Sequence, residues 1–263
     1  MTENFNCPPF PERHDIKPSW IVLTYNRHDS VSRSMLHNAE NAGYPWHEVV
    51  WCDNGSTDGV RNFMREFVNP SVCILHQDNL GVAKGYNRAM LMSTGTHVVL
   101  TGCDMLMPKD WLRTFVNCFE KIPNTGIASM YSGPLSWVPE RIRGDERLEA
   151  GIKIRPAMPI GRRMFSRDML KKVGFLREDF GLYGHEDVEW GYRAERVCAQ
   201  LKLLIYVLPD MIASHLGDEH HSNEGVDSKE YREFKRREVD DPKKKELMER
   251  CRKEDWPYYN PYW

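Results

Sequence analysis

Four short apolar runs, each closing on polar residues, limit the folds open to this chain more than any other feature. Residues 20–25 (WIVLTY), 49–52 (VVWC), 72–75 (VCIL) and 98–100 (VVL) are too short for buried helices and suit buried strands. Helical patterns separate them. One has Val31, Met35, Ala39 and Ala42 on a single face, with Asp29 or Ser30 as its cap, and another runs from about 82 to 93. Strands alternating with helices predict an α/β fold with a mostly parallel central sheet flanked by helices. Ligands of such sheets gather beyond the carboxyl ends of the strands. Three of those ends carry Thr24-Tyr25-Asn26, Asp53-Asn54 and Asp104.

The bulk numbers exclude several classes. With 36 basic and 38 acidic residues in 263, the net charge is −2, which gives no global attraction to nucleic acid or an anionic membrane. No run approaches the roughly 18 apolar residues of a transmembrane segment. The opening residues are polar and proline-rich without an apolar signal core, and the seven cysteines include no CxxC pair. Reduced thiols and a cytoplasmic location are expected.

Beyond residue 100 the pattern is less regular. Residues 131–160 read as a long loop or flap, order resumes at Gly161-Arg162-Arg163 with a helix near 167–173, and a strand spans 203–208. Between them lies the densest chemical stretch, GLYGHEDVEWGYR at 181–193, with His185, Glu186, Asp187 and Glu189 beside three aromatics and Arg193.

Several stretches suit ligand binding by residue type. Asp53 at a strand end, before a glycine turn, is placed to accept from a ligand N–H, although capping alone also explains such a turn. Asn79-Leu80-Gly81 ahead of a helix with Lys84 and Arg88 on one face suits an anion. Asp104 suits a hard divalent ion bridging diphosphate oxygens, and His215 a second ligand. The charge-dense segment 228–253 reads as a solvated helix whose Lys235-Arg236-Arg237 and Lys243-Lys244-Lys245 clusters could meet a polyanion. Of the readings for the five terminal aromatics, docking on the body stands beside an acceptor clamp or a membrane anchor. His220 and His221 read as solvated.

In order and spacing, TYNR, DNGSTDG, NLGVAKGYNRA, a strand ending in an acid, FSRDMLKKVGFLREDFGLYGHEDVEWGYR and SHLG together resemble the family 2 glycosyltransferases, nearest the rhamnosyltransferase-like and galactofuranosyltransferase-like members. The resemblance covers about residues 19–218. It implies a GT-A (nucleotide-diphosphosugar transferase) fold with a donor half at about 19–107 and an acceptor and catalytic half at about 108–218. An irregular arm at 1–18 and a charged, helical and aromatic extension at 219–263 flank it. It further implies inverting transfer of a hexosyl or pentosyl group, with Mn²⁺ or Mg²⁺ and with a UDP-sugar as first choice of donor.

Carried onto this sequence, the resemblance assigns the donor to Thr24, Tyr25, Asn26, Arg27, Asp53, Asn54, Asn79, Gly81, Lys84 and Asp104. Thr24 and Asp53 contact the nucleoside, and Asn79, Gly81 and Lys84 line the ribose and diphosphate. Asp104 and His215 hold the metal. Asp187 is the catalytic base with Glu186 beside it. By residue type, Trp190 suits stacking on an acceptor sugar, Glu189 the acceptor or the role of base instead, and Arg162 and Arg193 the acceptor or the diphosphate. The acceptor is open among a glycan, a lipid-linked sugar, a protein, a small molecule and modified nucleic acid. One departure stands out: the first acid of the family's DxD motif is Gly102 here. It keeps open a sugar-nucleotide-binding protein without transfer activity. A nucleotidyltransferase would want a glycine-rich loop after the first strand, and TYNRHDS has no glycine.

Overall fold

A computed structural model describes residues 15–132, 144–159, 161–216, 229–253 and 259–262. His220, His221 and most of the N-terminal arm lie outside them. Ten strands join in the order β3-β2-β1-β4-β9-β6-β10-β8-β7, with β5 paired to β10. The first four are β1 (Pro18–Thr24), β2 (Glu48–Asp53), β3 (Val72–Leu75) and β4 (His97–Leu100), and they run parallel.

The expected parallel character is interrupted there and resumes between Thr125–Ser132 and Leu204–His215. β9 (Arg162–Ser166) is inserted antiparallel between β4 and β6 (Thr125–Ser132). The sheet is therefore mixed. This reversal sets the start of β9, rather than its end, beside the carboxyl end of β4, where Leu100 registers with Arg163.

Period-two alternation divides the buried side chains between the two faces. Trp20, Val22, Trp51 and Met164 pack beneath α1 (His28–Glu40) and α4 (Trp111–Lys121), where Trp20 meets Trp111 edge-on at 5.5 Å. Ile21, Leu23, Val98 and Phe165 pack against α3 (Val82–Met92), α5 (Arg167–Val173) and α6 (Glu186–Leu201). A short α2 (Val60–Phe63) continues as a π-helical turn, Met64–Val68.

Three local expectations need correction. α1 begins before Asp29 and Ser30, with Arg27 as its N-cap in a left-handed conformation and no side-chain cap. The supposed flap contains a hairpin, β7 (Arg147–Glu149) and β8 (Ile152–Pro156), whose second strand extends the sheet from β10 (Leu204–His215). The charged tail forms two helices, α7 (Lys229–Asp240) and α8 (Pro242–Lys253), rather than one.

These tail helices rest on the loop before α6. Lys244 donates to the Tyr183 carbonyl at 3.0 Å and pairs with Glu238, His185 Nε2 lies 2.8 Å from the Val239 carbonyl, and Lys235 sits over the Tyr183 ring. Of the terminal aromatics, Tyr259 pairs with Gly174 in a backbone bridge and Tyr262 donates to Glu178. Docking on the body thus describes both. No described helix is long and apolar enough to cross a membrane.

Candidate functional site

The loops beyond β1, β2 and β4 are tied to one another. Asn26 and Arg27 are both left-handed, at φ 55° and 67°, which folds the chain sharply off the end of β1. The Asn26 amide donates to Ser56, and its side-chain oxygen accepts from Thr57, closing the first loop on the second.

Asp53 is 0% exposed. One oxygen accepts from Thr24, and the other from the amides of Gly55 and Ser56 and from Arg61. Burial would raise this carboxyl, but those bonds outweigh it and hold it below its ordinary value. Asp53 and Thr24, expected to contact a nucleoside, are bonded within the loop, as buried polar groups must be paired. Thr24 also accepts from Trp51. Tyr25 remains exposed at the rim.

The third loop is docked onto the stretch that precedes α6. Asn79 accepts from the Gly81 amide, Asn54 donates to the Gly81 carbonyl, and the Val82 amide donates to Leu182. Gly81 has φ 93°, and a Cβ there would fall 2.7 Å from the Gly181 carbonyl. Only glycine combines that backbone with so close an approach. Lys84 on α3 is half-buried and has no hydrogen bond or ion pair among the described residues.

β5 (Met105–Leu106) pairs antiparallel with the end of β10, and His215 registers with Met105. That pairing carries His215 to Asp104: its Nε2 lies 3.1 Å from Asp104 Oδ2, which also accepts from Arg27 at 2.7 Å. Burial would raise the Asp104 carboxyl, but the His215 bond and the charges of His215 and Arg27 drive it far below the ordinary range.

An oxygen and an imidazole nitrogen this close suit a shared divalent ion. Among the described residues no group of three or more His, Cys, Asp or Glu gathers for one, so other ligands would have to come from a bound molecule. A Cβ at Gly102 would stand 2.9 Å from Asp104 Oδ1 and 2.7 Å from Met105 Cγ. A side chain in place of the missing first acid would require Asp104 and Met105 to shift.

Glu186 and Asp187 open α6 after the left-handed His185. Both line a cavity of about 160 Å³ with Gly102, Tyr86, Arg162 and Arg163. Burial and the neighbouring Asp187 push the Glu186 carboxyl up to about 7. Asp187, half-buried, faces the same space.

Trp190 and Glu189, expected at an acceptor, belong to the core. Each is 1% exposed. Trp190 donates to the Gly174 carbonyl and packs on Phe165, and Glu189 forms a two-pronged pair with Arg193 at 2.8 Å on each prong. Arg193 also donates to the Val173 and Phe175 carbonyls, so it is a structural strut. Arg163 and Tyr86, which residue types alone did not single out, do line the cavity. The antiparallel placement of β9 is what brings Arg163 there, and nothing local in the sequence signals it.

Comparisons with known proteins agree with this geometry. A family model described as glycosyl transferase family 2 matches residues 19–174. The chain is 24% identical over 229 residues to the hyaluronan synthase of Pasteurella multocida, covering 71% of this chain and 23% of that protein. The chain spans between 23% and 44% of the length of the curated relatives it matches. The mannosyltransferase PcManGT from Pyrobaculum calidifontis, solved with GDP-Man and Mn²⁺, superposes with TM-score 0.59 at 22% identity, over 78% of this chain and 58% of that one. GalNAc-T7, solved with UDP, GalNAc and Mn²⁺, gives 0.56 at 11% identity, over 76% and 43%. The fold is the GT-A arrangement, and with the family model spanning more than half of its residues, the chain belongs to glycosyl transferase family 2.

Proposed function

We propose that the chain transfers a sugar, with inversion, from a nucleoside-diphosphate sugar to an acceptor hydroxyl, with Asp187 as general base. One observation carries this reading: the cavity walled by Glu186 and Asp187 also borders Gly102, two residues before the Asp104–His215 pair. A proton acceptor and a candidate diphosphate anchor therefore flank one space.

The acceptor oxygen gives its proton to Asp187 as it bonds to the anomeric carbon, while the bond from that carbon to the diphosphate oxygen breaks on the opposite face. Attack opposite the leaving group inverts the centre, and a single base suffices. Glu186, held toward its protonated form, hydrogen-bonds the sugar or acceptor rather than competing for that proton. Asp104 and His215 would hold a divalent ion, Mn²⁺ or Mg²⁺, which when bound offsets charge on the diphosphate. Lys84 and Arg27, at the same sheet edge, add fixed positive charge. UDP is the first nucleotide to try and GDP the second, since relatives of this fold were solved with each.

A screen of nucleotide sugars by melting temperature, with and without Mn²⁺, tests donor and metal together. One donor should stabilise the chain, and more so with Mn²⁺. D187N should keep that stabilisation while transfer or hydrolysis falls by about 10²–10⁴-fold. Wild-type turnover by D187N would remove Asp187 from the mechanism. Gly102 favours a second reading, binding without transfer, which donor stabilisation without turnover over a broad acceptor panel would establish.

A further inference from the structure

The two arginines that open β9 make few hydrogen bonds for their charge among the described residues. Arg163 is 2% exposed, and its guanidinium lies over the Trp190 ring at 4.4 Å. That contact uses the face of the group and leaves its edge N–H donors aimed elsewhere. Its Nε is buried without a partner, and so is the Nε of Arg162. The one hydrogen bond that Arg162 makes among the described residues goes to the Met105 thioether at 3.4 Å, a weak acceptor. Neither arginine forms an ion pair there, although Glu186 and Asp187 line the same cavity.

A buried guanidinium without hydrogen-bond acceptors is costly, and Arg163 is the buried one of the two, with half-buried Arg162 beside it. Bound solute can supply what the protein withholds. The remaining walls sharpen the demand. Tyr86 already donates to the Thr101 carbonyl, and Asp104 is engaged by Arg27 and His215. Burial pushes Glu186 toward its neutral, donating form, and Asp187 is reserved as the base. The cavity thus sets two arginines beside the carboxyls of Glu186 and Asp187, whose charges act on the guanidinium groups without a hydrogen bond to either among the described residues. A hydroxyl brings a donor with every acceptor, whereas a carboxylate brings two acceptor oxygens in the plane that a guanidinium matches.

We propose that this cavity receives the donor sugar and selects one bearing a carboxylate, a uronosyl group, with Arg162 and Arg163 as its anchors. The inference rests on the transfer reading above. Gly102 lines the same cavity, and a side chain there would press on Asp104 and Met105.

Matched donors that differ only at the sugar's terminal carbon test it: UDP-glucose against UDP-glucuronate, and GDP-mannose against GDP-mannuronate. The full chain is assayed with Mn²⁺ for nucleotide release, and for binding of UDP and GDP alone. One uronosyl donor should show a KM at least about tenfold below its neutral partner, the scale of a hydrogen bond to a charged group. R163Q should erase most of that preference while the nucleotide alone binds as before. R163K, which keeps the charge but loses the planar fork, should restore part of it. Equal or better use of the neutral donors, with UDP or GDP still bound, would overturn the carboxylate and leave sugar transfer standing. Failure of both nucleotides and all four donors to bind would instead overturn the transfer reading. Should R163Q not fold, the wild-type comparison decides alone.

Discussion

The Glu189–Arg193 pair shows how a charged residue can be structural in the middle of a chemical stretch. Both prongs are made, both partners are buried, and two further bonds hold Arg193 to α5's end and the turn after it. Removing one partner strands the other in a dry interior, so E189Q and R193M should each cost about 3–5 kcal/mol in urea unfolding. Glu186, three residues earlier, behaves in the opposite way. Its carboxyl is raised from an ordinary 4.5 to about 7, so the folded state holds its proton longer than the unfolded chain does. The resulting stabilisation is fully present below pH 4.5 and is lost as pH rises through 7. Melting temperature followed across that interval should therefore fall more steeply with pH for the wild type than for E186Q. An unchanged slope in E186Q would show that Glu186 is not the group responsible.

The loops depend on glycine for a reason that belongs to the elements they join. Gly81 lets the turn before α3 lie against residues 181–182, and this contact registers the donor-side loop with the loop that delivers Glu186 and Asp187. G81A meets both a positive φ and a carbonyl at 2.7 Å. It should destabilise the fold by about 1–3 kcal/mol and raise donor KM, with melting and steady-state kinetics as the two readouts. The first four strands and α3 were legible because each is local: an apolar run or a helical pattern with its own boundary. The hairpin at 147–156 was not, because apart from the buried Ile154 its strand residues are exposed or half-buried and carry no strong alternation. The α1 start was missed because backbone geometry at Asn26 and Arg27, rather than a capping side chain, begins it. Trp190 and Glu189 looked functional by type alone. Helical phase turns them inward, while Glu186 and Asp187 reach the cavity from the first turn of the same helix.

At the scale of the whole molecule, the site is assembled from parts distant in sequence. β9 reaches back to β4, β10 brings His215 to Asp104, and the tail helices brace the loop of residues 181–185. None of these pairings leaves a local signal: motifs single out Asp104 and His215 as candidates, and nothing local singles out Arg163. The tail's basic clusters also change meaning in this setting. Lys235 covers Tyr183, Lys244 is buried against the Tyr183 carbonyl and Glu238, and Lys245 pairs with Asp240, so half of those six cations act within the protein. Lys244 is the pivot, since it joins α8, α7 and the loop before α6. K244M keeps much of the stem's packing but leaves the Tyr183 carbonyl and the Glu238 carboxylate without their shared donor, a loss of about 1–3 kcal/mol. If the tail serves to hold the base in position, kcat should fall in K244M more than donor KM rises, because neither hydrogen bond of Lys244 goes to the loop before α3. K245M, which breaks only the exposed pair with Asp240, should change neither. A K244M enzyme that is less stable yet has unchanged kcat would reduce α7 and α8 to packing.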